Sequence, residues 1–513
     1  MSSLADLTNY NTPIQPNSTE IRTEYLEPIT SSTYKHTFRM DASGYLDTNS
    51  MIVFKLNATA DAGKHRVNLW NGVLGGIKRC IFQVGDNIIN DIQDVYKYST
   101  LKNMNVAPSV RNNYHGHYLG NSLWIDTQEE PNEAPSSCGN LGDTYALTEG
   151  STIGAYVVNG KRSGGYFGNL DIREPSGGTP LGTTQAINSM PINLSTGDNF
   201  QYGIPLGMLI PALKGQKIPL FLFDKQRILI TVEFNTSDYY CNSYTDHKTA
   251  FANGTTGNDA SSNGISPSGA VVPANVQMVV DYIIMPSDVQ NEITEQTKKQ
   301  GGYQLEFYDV VNVEKNVPAS QADVEHRIGQ NNREVHNIMM WKQPQTISQL
   351  KDQNLRGAAL MCGNKQSSQG YGMEEYNVNI DGRDEFDHFV YSPIAQYNEL
   401  SNCLGSDFKV VRPQYCNDDN TAQSELATVY GGLLGTMKPL GLSLRNGEPL
   451  VVGGGRQIGN YPIIWKWKRV PHATASGNSV KDDEAIKCNY FCELSRVANI
   501  MNTGKGMNVV VSY

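Results

Sequence analysis

Basic charge is scarce in this chain, and so are the markers of several common protein classes. Lys and Arg number 41 against 51 Asp and Glu, for a net charge of −10. A broad grip on nucleic-acid phosphate rests on clustered Lys and Arg, so strong nucleic-acid binding is not expected, although a locally basic face stays open. No run of eighteen apolar residues occurs, so no membrane span is expected. The eight cysteines, Cys80, Cys138, Cys241, Cys362, Cys403, Cys416, Cys488 and Cys492, include no C-x-x-C pair. Cys488 and Cys492 lie four apart in a strand-like stretch and share a face, so scattered reduced thiols are favoured over disulfides or zinc. The first 25 residues lack the basic and apolar regions of a signal peptide and read as a polar arm. No G-x-S-x-G and no H-E-x-x-H occurs.

What is abundant points to β structure. There are 48 glycines and 23 prolines, with many Asn, Ser and Thr, as in strands joined by long loops. Charged residues at 18% and hydrophobic ones at 39% exclude both a disordered chain and a coiled coil. At 513 residues the chain exceeds what one core usually covers, so two domains are expected.

The stretch from Gly203 to Val313 organises the rest. Ile228, Ile230, Val232 and Phe234 alternate with more polar neighbours, the period of a half-buried strand, and Val276–Met285 repeats the pattern. Ile218–Phe223 is a third apolar run, read as a strand. Pro286 stops the ladder. Ser287 with Gln290 fits a capping box, and a polar helix is expected from about Asp288 to Lys299, ended by Gly301 and Gly302. A new strand, Gln304–Val313, follows.

Elsewhere Tyr34–Met40, Met51–Leu56, Ile77–Val84, Glu334–Lys342, Tyr461–Trp467 and Met507–Tyr513 read as strands, and Asp86–Thr100 as a short helix. Asp381-Gly382 sits between two extended runs as a hairpin turn. Two long stretches, about 106–199 and 236–274, carry loop composition and read as insertions facing solvent. The domain expectation is therefore an arm at 1–25, a β unit at 26–286, a linker helix at 287–302 and a second β unit at 303–513, all-β throughout, of the sandwich or jelly-roll kind.

No catalytic, cofactor-binding or metal-binding residue is assigned. His115 and His117 could share a metal, but no third ligand is near and a solvated loop is favoured. The Gly453–Gly459 stretch GGGRQIG lacks the Lys-Ser/Thr of a P-loop and reads as a turn. Asp381, Asp384, Glu385 and Asp387 could hold a cation, yet a solvated hairpin is favoured. The sequons at Asn17, Asn57, Asn193, Asn235 and Asn253 read as chance in an Asn-, Ser- and Thr-rich chain.

Four segments carry a resemblance. The IPLGMLIPALKGQKIPLFLFDKQRILITVEF stretch, with Ile218, Pro219, Leu220 and Ile230–Phe234, resembles the close of the first jelly roll in double jelly-roll major capsid proteins of eukaryotic double-stranded DNA viruses. These include nucleocytoplasmic large DNA viruses, polinton-like viruses and virophages. Val279–Gln296 resembles the strand and polar helix that follow there. Arg333–Lys342 is similar to a strand ending in Trp, and ELSRVANIMNTGKGMNVVVSY to the family's C-terminus. The acidic NEITEQTKKQ helix and the long 106–199 loop depart from the family pattern.

The resemblance implies two tandem eight-stranded jelly rolls standing side by side. It also implies a structural role, with no enzyme activity and no cofactor. Homotrimeric, pseudo-hexameric capsomers would tile an icosahedral shell alongside penton and minor capsid proteins. The chain would be made and assembled in a host cell and reside in the virion. A β-sandwich carbohydrate-binding protein or glycoside hydrolase is the alternative.

Overall fold

The computed structural model describes residues 19–58, 64–67, 72–103, 116–119, 124–125, 187–188, 201–213, 217–223, 226–236, 241–244, 265–267, 271–319, 321–345, 373–404, 440–445, 454–469, 485–502 and 507–512. Nearly all of the two expected insertions, and His115, lie outside these.

Residues 20–284 form two main antiparallel sheets. In one, Val271–Ile284 is central. It pairs with Met51–Ala58 and Tyr45–Leu46 on one side and with Glu20–Leu26 on the other, and Tyr202–Pro205 extends the sheet beyond Met51–Ala58. In the other, Ile228–Phe234 lies between Lys35–Met40 and Ile77–Val84, and Asn87–Gln93 closes the far edge. Alternation drives this arrangement. Ile228, Ile230, Val232 and Phe234 are buried and their neighbours are half-buried. The two inner faces meet, with the Phe54 and Phe234 rings 5.0 Å apart, edge to face.

Residues 302–512 repeat the plan. Ile486–Asn502 pairs with Gly302–Val317 and with Glu334–Pro344, which in turn pairs with Leu440–Ser443. The facing sheet centres on Ile463–Arg469, between Asp323–Gly329 and Met373–Ile380. Tyr376 stacks on Trp465 at 5.2 Å, and the Tyr490 hydroxyl crosses between sheets to His326 Nδ1 at 2.7 Å. In chain order the Ser287–Lys299 helix comes between the two groups of sheets.

Several local expectations change. Glu20–Leu26, read as the end of the polar arm, is a strand. Within Ile218–Phe223 only Ile218–Pro219 is extended; Leu220–Phe223 is a buried 3₁₀ turn. Asp86–Thr100 is not one helix but a strand, Asn87–Gln93, followed by a helix, Val95–Asn103. A bulge opposite Phe82/Gln83 inserts Ile89, so buried positions fall at 89, 90 and 92 and mimic helical spacing. The Ser287 capping box does not form. Pro286 occupies the cap position without a side-chain bond, and Gln290 donates instead to the Met285 carbonyl at 2.8 Å.

Candidate functional site

The residues that attract attention by burial and charge lie where the two groups of sheets meet. Two strands of the second group are covered on both faces. Along Ile486–Asn502, Cys488, Tyr490, Cys492 and Leu494 enter the second core, while Phe491 belongs to the first. Along Glu334–Pro344, Ile338 and Met340 face the second core, and Met339 and Trp341 the first. A strand covered on both sides reads as an unbroken apolar run, which is why NIMMW shows no alternation.

Polar groups thread this apolar seam. The Val95–Asn103 helix supplies Lys97, Tyr98 and Lys102. Tyr98 donates to Glu493 Oε1 at 2.6 Å, Lys102 Nζ lies 2.5 Å from the same carboxylate, and Asn337 donates to its other oxygen. Burial alone would raise the Glu493 carboxyl, but the charge of Lys102 and the three hydrogen bonds outweigh it and hold it down at about 2. Lys97 Nζ bridges Asp94 (3.2 Å) and Asn489 (2.8 Å), and Asn312 donates to Asp94 at 3.0 Å. Farther along, Arg496 Nη1 reaches Asp309 at 2.5 Å and the Ile89 carbonyl at 3.2 Å, while Asn90 donates to Asp309 at 2.9 Å. Buried ion pairs of this kind add little net stability over an apolar equivalent. Their geometric consequence is that only one registration of the two halves satisfies all of them.

The residues singled out in the sequence do not converge. Asp381 accepts from the Gly459 N–H at 3.0 Å, Asp384 from Asn379 at 2.7 Å and Lys466 at 3.1 Å, and Glu385 pairs with Arg456. The acidic cluster is thus a hairpin turn tied to its neighbours. Asp381 (φ 51°) and Gly382 (φ 81°) take the left-handed conformations that a two-residue turn requires. In the glycine-rich stretch, the Gly455 N–H donates to Glu334 at 2.8 Å, and Arg456–Gln457 is not part of a turn but a short strand paired with Glu334–Val335. His117 lies in the one-turn helix Gly116–Leu119, and its partner His115 is outside the described residues. Among the described residues no group of three His, Cys, Asp or Glu could hold a metal, and no helix is long and apolar enough to cross a membrane. Cys80, Cys403, Cys488 and Cys492 are buried free thiols, and burial pushes the last two up to about 12. Asn235 is buried as well, which leaves that sequon without access.

No protein-family model matches the sequence, and no curated protein matches it. Solved structures do match in shape. PBCV-1 VP54, fitted into a reconstruction of the virophage Sputnik, superposes with a TM-score of 0.51 at 10% identity, over 99% of this chain and 100% of that one. A chain of the PBCV-1 virus capsid superposes with a TM-score of 0.50 at 10% identity, again over 99% and 100%. The fold is the double jelly roll. The 20–284 sheets form the first roll, the 302–512 sheets the second, and the seam is the contact between rolls. Sequence reasoning missed the seam entirely. Its one visible signal is the lost alternation in NIMMW and in CNYFCEL, where both faces of a strand are buried.

Proposed function

We propose that this chain is the major capsid protein of a double-stranded DNA virus or virophage. The observation that carries the proposal is the full-length superposition, at TM-scores of 0.51 and 0.50, on chains fitted to a virophage particle and built into a virus capsid. Identity of 10% speaks for shared fold, and function follows from what such a fold is used for. In this reading residues 26–286 and 303–513 are the two halves of one brick, with 287–302 linking them. The locked seam suits the role: a shell unit must present both rolls at a fixed angle. Three copies form a pseudo-hexameric capsomer that tiles an icosahedral lattice, closed by penton and minor capsid proteins. The chain is made in a host cell, resides in the virion, and works by assembly rather than turnover.

The test is the mass of the purified protein at micromolar concentration by native mass spectrometry. The reading expects a species of three 56.6 kDa chains. A stable monomer with no tendency to associate contradicts it.

A further inference from the structure

Four polar side chains close a ring in the seam. Lys97 Nζ donates to Asp94 Oδ2 at 3.2 Å and to Asn489 Oδ1 at 2.8 Å. Asn489 Nδ2 donates to Asn312 Oδ1 at 3.2 Å, and Asn312 Nδ2 donates back to Asp94 Oδ2 at 3.0 Å. Asp94 and Lys97 belong to the first roll, Asn312 and Asn489 to the second. Lys97 is 2% exposed and Asn489 0%. Two features of the backbone build the ring. Asn312 and Asn489 are diagonal neighbours on paired strands, within reach of each other's side chains. Asp94 is the single residue between the Asn87–Gln93 strand and the Val95–Asn103 helix, and its φ of 56° is left-handed. That conformation is uncommon for a residue with a side chain and recurs at functional sites.

Lys97 is unlike the seam's other lysine. Lys102 faces the Glu493 carboxylate, and an ion pair accounts for it. Lys97 is nearer to a neutral amide oxygen than to its carboxylate. Burial pushes its ammonium below the ordinary 10.5; the charge of Lys487 acts in the same sense, while Asp94 and Glu314 oppose both. Desolvation of this kind makes a lysine amine available as a nucleophile. An amine fixed against an amide carbonyl, with a carboxylate in reach of the amine's protons, has the parts of an acyl transfer. Asn312 completes the set: it accepts from Asn489 Nδ2, so the oxygen edge of that amide is turned to the amine.

We infer that Lys97 and Asn489 join in an isopeptide bond that ties the two rolls together. Asp94 takes one proton from the Lys97 ammonium. The freed amine adds to Asn489 Cγ, one bond away from the oxygen it already touches. The Nζ–Cγ bond forms and the Cγ–Nδ2 bond breaks. A second proton passes from Nζ to Nδ2, which leaves as ammonia. Ammonia then collects the proton held by Asp94, departs as ammonium and restores the carboxylate. No electrons change hands and no co-reactant is consumed. The product joins residues 392 positions apart. Cys80, Cys403, Cys488 and Cys492 are free thiols, so none of them supplies such a tie. A cross-link of this span restricts the unfolded chain as a disulfide does. The inference stands on the ring alone and does not depend on the capsid reading.

The experiment is trypsin digestion and mass spectrometry of the purified, denatured full-length chain. An acylated Lys97 is not cut by trypsin, so residues 80–102 and 488–496 appear as one branched peptide, lighter than their sum by one ammonia. Lys97→Arg gives the two regions as separate peptides. Asp94→Asn, checked for wild-type far-UV circular dichroism, forms the branched peptide about a hundredfold more slowly, the usual loss when a proton acceptor is removed. The wild-type digest decides by itself, whether or not a variant folds. Separate wild-type peptides 80–97, 98–102 and 488–496 overturn the inference, as does an ammonia loss that maps elsewhere in the chain. A folded Asp94→Asn chain that links at the wild-type rate overturns the part assigned to that carboxylate.

Discussion

Glu493 is the most densely bonded carboxylate in the seam. It takes Tyr98 and Lys102 from the first roll and Asn337 from its own. Replacing it with Gln keeps the shape but leaves the Lys102 ammonium, mostly buried, without its counter-charge. Breaking a buried pair from one side costs about 3–5 kcal/mol, so Glu493→Gln lowers the urea midpoint by a corresponding amount. Removing both charges costs less than removing one, and the Glu493→Gln/Lys102→Met pair recovers part of the loss in the same titration. Tyr490 offers a smaller effect. Its hydroxyl meets His326 Nδ1 at 2.7 Å deep in the second core, and Tyr490→Phe leaves that nitrogen unpartnered there, at a cost of about 1–3 kcal/mol in denaturant unfolding.

At the scale of elements, the helices stacked on glycine strands are the sharpest constraint. A methyl on Gly441 would lie 2.7 Å from Cys403 Sγ and 3.0 Å from the Leu400 Cα, so the Pro393–Leu404 helix must move off its sheet. Gly441→Ala lowers stability by about 1–3 kcal/mol, seen as a depressed melting temperature. Gly207→Ala is the control. It has open space around its Cβ, with the nearest atom at 3.9 Å, and sits in the Leu206–Leu209 turn, so it leaves the melt unchanged or slightly raised.

Elements with a clean period were legible in the sequence. Ile77–Val84 and Ile228–Phe234 fall where alternation places them, and the polar helix begins within one residue of its expected start. The failures have physical reasons. Leu220–Phe223 is apolar because it is buried as a turn, and a short apolar run does not tell strand from turn. Asn87–Gln93 hides behind its bulge. The seam was not legible, because its bonds join residues as far apart as Ile89 and Arg496, and nothing local in either segment marks the other.

For the whole molecule, acid is the natural probe of the seam and the second core. Burial pulls the His326 imidazole down to about 4 from its ordinary 6.5, so between those values the unfolded chain takes up a proton that the folded one refuses. Stability therefore falls as pH drops across that window. His336, buried beside Ser495, is lowered in the same sense. Glu493, held at about 2 against an ordinary 4.5, adds a second loss as pH falls from 4.5 towards 2. Urea midpoints measured from pH 7 to pH 3 show a decline beginning below 6.5, and Glu493→Gln flattens only the part below 4.5.

The central claim is that two rolls locked at one angle form a unit that assembles around a threefold axis. Electron-microscopy class averages of the purified, assembled protein test it most directly. The account predicts particles with threefold symmetry and a six-lobed outline, each pair of lobes contributed by one chain. Single two-lobed particles, or assemblies of another symmetry, would contradict it.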